Sequence, residues 1–210
     1  MKVEKLFSEA DKTRVAEAVR NAEAHTSGEI VPLVVNASDH YVYVHFIGAV
    51  IGQILFLGVG IWILPECDLV RLLIFQALGF LLGYLLSKYV PPLKRSLLSH
   101  GTADAEVYDR ALRAFYENEL YRTRDRTGIL IFVSLLERRV QVLADTGINA
   151  RVPPGTWDEV VRIILEGIRL RDLSQGLCNA ITRCGEILAR EFPRKSDDTD
   201  ELGDQLRIEK

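Results

Sequence analysis

Cysteine is scarce and scattered in this chain: Cys67, Cys178 and Cys184 are the three it has. Cys67 falls in a turn between two apolar runs and the other two in a later helical stretch. No disulfide framework and no four-ligand zinc site can be assembled from them. The four histidines, His25, His40, His45 and His100, have no spacing that suggests a metal centre. A P-loop, a G-x-G-x-x-G dinucleotide turn, a G-x-S-x-G elbow and an H-E-x-x-H helix are all missing. Positive charge is also short. Outside residues 45–95 the chain carries 22 Lys and Arg against 27 Asp and Glu. That acidic balance argues against a general nucleic-acid binder, so no nucleic-acid partner is expected.

The most telling absence is local. Phe46 to Leu64 is a run of 19 residues without a charge, close to the roughly 20 a helix needs to cross a bilayer. Pro65-Glu66-Cys67-Asp68 reads as a turn, and Leu69 to Leu86 returns with one charge, Arg71, whose long stem can carry its guanidinium to the headgroups. Soluble helices of this length rarely lack charge on every face, so residues 45–95 read as a transmembrane hairpin rather than a buried one. A hairpin returns the chain to the side it left, so residues 1–44 and 96–210 share one compartment and can make one domain.

Each span carries a G-x-x-x-G, Gly48 with Gly52 and Gly79 with Gly83. Small residues four apart let helix backbones approach closely. The spacing predicts that the two spans pack on each other through these faces, with a homodimer through the same glycines as the alternative. Lys88, Lys94 and Arg95 follow the second span, while no Lys or Arg lies between His25 and Val44. The positive-inside rule then places both soluble segments in the cytoplasm. The polar N-terminus lacks the apolar core of a cleavable signal, so the first span is expected to direct insertion.

In the soluble part, Ser8-x-x-Asp11 opens a helix with Val15, Ala18, Val19 and Ala22 on one face. Ile30 to Val35 is apolar on both faces, as a buried strand would be, although Pro32 suggests an edge or a bulge. After the hairpin, Thr102 and Asp104 open a helix with Val107, Ala111 and Phe115 at successive i+4 positions. Ile129 to Leu135 and Arg139 to Ala144 lie close enough for an antiparallel hairpin. Thr156-x-x-Glu159 reads as a capping box before Val160, Ile163, Ile164 and Ile168. A last helix sets Leu177, Ile181, Cys184 and Leu188 on one stripe, and Phe192-Pro193 stops it. Residues 194–210 read as a charged, flexible tail. The order implies an α/β fold: a small mixed sheet flanked by helices, split between residues 1–44 and 96–193 by the inserted hairpin.

Glu23-x-x-Thr26-x-Gly28-Glu29-Ile30, Thr123-x-x-Arg126-Thr-Gly128-Ile-Leu, Val-Leu-Ala-Asp145-Thr-Gly-Ile, Trp157 and Phe192-Pro193 together resemble the TPM domain family. The resemblance spans roughly Phe7–Val35 and Thr102–Pro193. The family includes thylakoid-lumen and photosystem II repair proteins, bacterial membrane-anchored proteins and animal receptor-associated proteins. The resemblance implies an α/β sandwich. It also implies the activities attributed to members: weak acid phosphatase action and calcium binding in plants, and accessory roles in membrane-complex assembly elsewhere. The sequence departs from the family pattern where the anchor splits the domain, and in having few of the acidic residues that would hold a metal.

Asp145, at a strand end before a glycine, is the candidate catalytic and metal-binding carboxylate. The simpler reading is a turn cap that bonds the Gly147 or Ile148 amide. A metal-dependent acid phosphatase would want a second carboxylate, for which Glu29 is the nearest candidate, with Asn149 beside it, and a divalent cation such as calcium. Arg122, Arg124 and Arg126 could contact a phosphate or anionic headgroups, which makes a lipid-surface sensor another reading. Local ion pairs are the simpler account of them. Cys184-x5-Arg190 has cysteine-phosphatase spacing, but on the apolar stripe of a helix. Asp198-x-Asp200-x-x-Gly203-Asp204 with Glu209 reaches several positions of a calcium loop, with Leu202 at a ligand position. With no assembled active site, the leading expectation is a membrane-anchored accessory or interaction module with an unidentified membrane protein as its partner.

Overall fold

The computed structural model describes residue 3, residues 6–63 and residues 69–209. The turn expected at Pro65–Asp68 lies outside the described residues. The chain forms two compact units, Met1–Ser38 with Asp104–Lys210, and Asp39–Ala103.

The first unit is a four-stranded sheet between helices. α1 (Glu9–Glu23) starts at the Ser8 cap, where the Ser8 side chain accepts from the Asp11 amide and Asp11 reaches back to the Ser8 amide. This is the reciprocal box that the sequence predicts. The strands are β1 (Glu29–Val35), β2 (Gly128–Ser134), β3 (Arg139–Ala144) and β4 (Arg207–Glu209), in the spatial order β3-β2-β1-β4. β1 runs parallel to β2 and β4, and β2 pairs antiparallel with β3. β1 and β2 are buried along their whole length, which is why both read as continuous apolar runs. Pro32 is tolerated in a central strand because β4 joins β1 only from Leu33 onward.

One face of the sheet (Ile30, Val34, Ile129, Ile131 and Val133) packs on α1, α7 (Asp158–Leu170) and α8 (Leu173–Glu191). The other (Val31, Leu33, Leu130, Phe132) meets Val107, Ala111 and Phe115 of α5 (His100–Glu117). The expected stripe of α8 is fully buried at Leu177, Ile181, Cys184 and Leu188. Each Leu or Ile there contributes about 1.5–3 kcal/mol relative to exposure. Both faces of the sheet are therefore covered, and the fold is a mixed α/β sandwich.

Two local expectations shift. α7 starts at Asp158 behind Trp157, and the Thr156 hydroxyl bonds the Pro153 carbonyl at 2.7 Å, so the Thr156 box does not form. The tail from Arg194 closes on the sheet. β4 pairs with β1, Glu209 bonds Arg110, and Arg207 bonds Asn118 and, at 2.8 Å, the Leu202 carbonyl. Polar partners hold much of this segment, and its apolar anchors, Leu202, Leu206 and Ile208, are too few for periodicity to announce it.

The second unit is built on α2 (Val42–Ile63) and α3 (Leu69–Tyr89), both long and apolar enough to cross a membrane. A short helix, α4 (Pro91–Ser96), follows, with proline at its start. α2 and α3 pack antiparallel along the glycines: Gly48 faces Gly83 and Ser87, and Gly52 faces Gly79 and Gly83. Ser87 is fully buried and donates to the carbonyls of Gly83 and Tyr84, each at 2.9 Å. Its hydroxyl is satisfied without water, as a span requires. The large side chains point outward, with Trp62, Ile54 and Leu55 at 83%, 62% and 63% exposure.

Candidate functional site

One end of the sheet collects the residues that the sequence singles out. Glu29 opens β1 beside Gly128, which opens β2, and the Asp145 amide donates to the Gly128 carbonyl at 2.9 Å. The loops entering these strands are tied to one another. The Thr26 hydroxyl donates to the Phe192 carbonyl at 2.7 Å, and Thr26 bridges Pro193. The Thr127 hydroxyl donates to the Ser27 carbonyl at 2.8 Å, and the Thr123 hydroxyl accepts from the Thr127 amide at 3.0 Å. Gly147 donates to the Arg126 carbonyl at 3.1 Å. A side chain there would put its Cβ 2.5 Å from the Asp125 carbonyl oxygen and 2.6 Å from that of Arg126, so only glycine fits. These recurring Thr and Gly residues bind loop to loop at the sheet's end.

Asp145 is buried and caps α6 (Thr146–Asn149). Its Oδ1 accepts from the Thr146 amide at 2.6 Å, one position earlier than the amides the sequence suggests. Its Oδ2 has no hydrogen bond among the described residues and faces the Arg126 guanidinium at 3.8 Å. Asn149 donates to the Ala144 carbonyl at 2.7 Å. The three arginines meet carboxylates of the chain itself: Arg122 with Glu119 at 2.6 Å, Arg124 with Asp197 at 3.1 Å, and Arg126 with Asp145. Cys184 lies sealed in the core, and burial pushes its thiol far above the ordinary range. That environment keeps a thiol inert.

The carboxylates that come together with Glu29 are Glu23, from the end of α1, and Asp200, from the tail. Their ligand-type oxygens all lie within 4.8 Å of one another. They line a pocket of about 210 Å³, with Asp198 and Asp204 also on its wall. Backbone amides orient each of the three: Ile30 N–H donates to Glu23 Oε1 at 2.7 Å, Glu201 N–H to Glu29 Oε1 at 3.3 Å, and Gly203 N–H to Asp200 Oδ1 at 2.9 Å. Glu29 is 6% exposed, and its Oε2 is buried without a hydrogen-bond partner among the described residues. Burial raises the Glu23 carboxyl to about 9, with the neighbouring Glu29 and Asp204 charges adding to the shift. Burial likewise raises Glu29 to about 7, with Asp200 and Glu201 contributing. Asp198 and Asp204 are met by arginines, at 3.6 Å from Arg194 and 3.1 Å from Arg20. Asp145 opens off the far side of β2 from Glu29, two strand spacings or about 10 Å away.

Sequence reasoning found Glu29 but not its companions. Glu23 stood in the same motif string, and Asp200 stood in the calcium-loop-like tail. Nothing in the spacing brings a tail back to the first strand.

Residues 95–187 match the family model of the TPM domain. The matched stretch contains β2, β3 and the Asp145 cap, whereas Glu23, Glu29 and Asp200 fall outside it. The chain is also similar to the BA42 protein of the psychrophilic bacterium Bizionia argentinensis, known from an NMR structure. The TM-score is 0.63 and the identity 22%, covering 99% of each chain, and the likeness is one of fold. No curated protein matches the sequence.

Proposed function

We propose that this chain is a membrane-anchored accessory module. Its two-span hairpin holds a TPM-type domain at the cytoplasmic face of a bacterial plasma membrane, where it serves the assembly or maintenance of a membrane protein complex. The observation that carries this reading is the hairpin itself. Its glycines face inward while Trp62, Ile54 and Leu55 are exposed to the surroundings, the arrangement a lipid solvent favours. The antiparallel course brings Val42 and Tyr89 to one end of the hairpin. Lys88, Lys94 and Arg95 at that end support the cytoplasmic orientation. A homodimer through Gly48, Gly52, Gly79 and Gly83 would require these helices to exchange partners between copies.

The alternative, a weak metal-dependent acid phosphatase, is favoured by the carboxylates gathered around Glu29. Asp145 would be its second acidic group, polarised by Arg126. The experiment that separates the readings assays the detergent-solubilised full chain on a generic phosphomonoester, with calcium, magnesium or chelator. The accessory reading expects no metal-dependent turnover from folded protein, and stable co-isolation with one membrane protein. Turnover that needs metal and disappears in Asp145→Asn would overturn it. A reporter fused after Lys210 tests the orientation, and activity only outside the cytoplasm would contradict the assigned side.

A further inference from the structure

We infer that the outer edge of β1 is a docking site for an acidic, extended segment of a partner protein, and that the chain's own tail occupies this site in cis.

The tail has the make-up of a strand-like peptide ligand. Residues 194–209 carry six Asp and Glu against three Lys and Arg. Four of those carboxylates reach across to the rest of the domain. Asp197 meets the Arg124 guanidinium at 3.1 Å, Glu201 accepts from the Arg124 amide at 3.0 Å, Asp204 meets Arg20 at 3.1 Å, and Glu209 meets Arg110. These arginines stand on three separate elements: the loop before β2, α1 and α5. Together they suit an extended chain with carboxylates spaced along it. Lys195 with Asp125, at 2.6 Å, adds one pair of the opposite sense. Between the charges, Leu206 and Ile208, two residues apart, join the core on the α1–α8 face of the sheet, and Leu202 packs on the α5 face. The tail pairs with β1 at Leu33–Val35. Pro32 has no N–H to offer an incoming strand, so it limits where one can enter. Main-chain pairing, apolar anchors at a two-residue spacing and charge complementarity are the ingredients of strand addition at a sheet edge.

The same contacts make the tail displaceable. β4 is three residues long and only half-buried. Arg20, Arg124 and Asp197 are exposed, and ion pairs at such positions contribute little each and weaken in salt. Without β4 the sheet β3-β2-β1 remains, and the helices that cover its two faces all precede the tail. The edge can therefore be vacated without dismantling the core. Such a site would be the docking surface of the accessory module, and it rests on that reading for there being a partner at all. Strand exchange at β1 is a property of the chain alone, so it fails or holds separately from that reading.

The test uses the detergent-solubilised full chain and a fluorescent synthetic peptide with the sequence of residues 194–209. A released variant, Leu206→Asp with Ile208→Pro, removes an apolar anchor and a strand amide from the tail and leaves the receiving edge unchanged. Hydrogen exchange read by mass spectrometry reports whether its tail is open and its β2 still protected. The released variant should bind the peptide saturably. Wild type should bind it roughly tenfold or more weakly, because the tethered tail competes at an effective concentration of about millimolar. Replacing Asp197, Asp204 and Glu209 of the peptide by lysine should abolish binding, and Arg20→Ala or Arg124→Ala in the released variant should weaken it severalfold. In wild type, raising salt from about 0.1 M to about 1 M cuts the screening length from about 10 Å to about 3 Å. Exchange of the tail and of residues 33–35 should then quicken while that of β2 does not. This arm needs no variant, so it decides alone where the variant does not fold. Wild-type tail amides that exchange no faster than those of β2 would overturn the inference, as would an open, folded variant that ignores the peptide. Equal binding of the lysine peptide would overturn the acidic specificity. A concentration-dependent dimer of the released variant that shuts out the peptide would assign the edge to a second copy and overturn the choice of partner.

Discussion

Replacing Gly83 by leucine should separate the two long apolar helices α2 and α3, whereas the same change at Gly58 should not. A Cβ added at Gly83 would fall on the Gly48 carbonyl oxygen, 3.0 Å from the Gly48 carbonyl carbon and 3.1 Å from the Gly52 Cα. All three are backbone atoms of α2, which cannot swing aside as a side chain can. Carbon contacts are comfortable at about 3.5–4.0 Å, so the helices must part by at least half an ångström near this point. Overpacking of this kind costs about 1–3 kcal/mol. It also strains the approach of Gly52 to Gly79, and the 3.3 Å contact from the Ser87 hydroxyl to the His45 carbonyl. Among the described residues a Cβ at Gly58 meets nothing within 4 Å, so Gly58→Leu controls for the added hydrophobicity and helix propensity. The assay is reversible unfolding in mixed micelles, followed by helicity and by an engineered crosslink between the spans. Gly83→Leu should lose about 1–3 kcal/mol relative to Gly58→Leu. Equal stability of the two variants would refute the reasoning, since it would mean that the glycine face is not the packing surface.

Three further outcomes follow from the soluble unit. Gly147→Ala should destabilise it by about 1–3 kcal/mol in urea titration, because its Cβ has only the Asp125 and Arg126 carbonyls to meet; an unchanged midpoint would contradict that close approach. Cys184 should stay unmodified by thiol reagents until denaturant is added, as site-resolved mass spectrometry can check, and rapid native labelling would contradict its full burial. In chelator, stability should depend on pH through Glu23, whose carboxyl rises from an ordinary value of 4.5 to about 9 in the folded protein. The favourable contribution is complete below about 4.5, declines by at most about 1.4 kcal/mol per pH unit in between, and is gone once pH passes about 9. Glu23→Gln should flatten that slope, and an equal slope in wild type and variant would assign the pH dependence to other groups.

The sequence discloses most where one physical rule governs many consecutive residues. The uncharged run from Phe46 outlines a span whose helix begins slightly earlier, at Val42. The apolar stripe of α8 and the close β2–β3 pair are visible because local period and short connection suffice to define them. The parallel pairing of β1 with β2 is not visible, because the hairpin and α5 lie between them and no local pattern states the register. β4 is hidden for a different reason: Arg207-Ile208-Glu209 is three residues long, and beside the single apolar contact of Ile208 its attachments are polar bonds to Asn118, Leu202 and Arg110. The candidate site follows from both gaps. Glu29 could be picked out beside its strand, but Asp200 reaches it only once the tail has folded back. Asp145 was legible as a turn residue because capping is local, and the neighbouring Thr146 amide is the one that it accepts from.

The claim on which the account rests is that α2 and α3 cross a bilayer. Alkaline carbonate extraction of membranes from cells producing the full chain tests it most directly. The account predicts that the protein stays in the membrane pellet and leaves it only with detergent. Release into the carbonate supernatant would contradict the anchor, and with it the proposed role at a membrane.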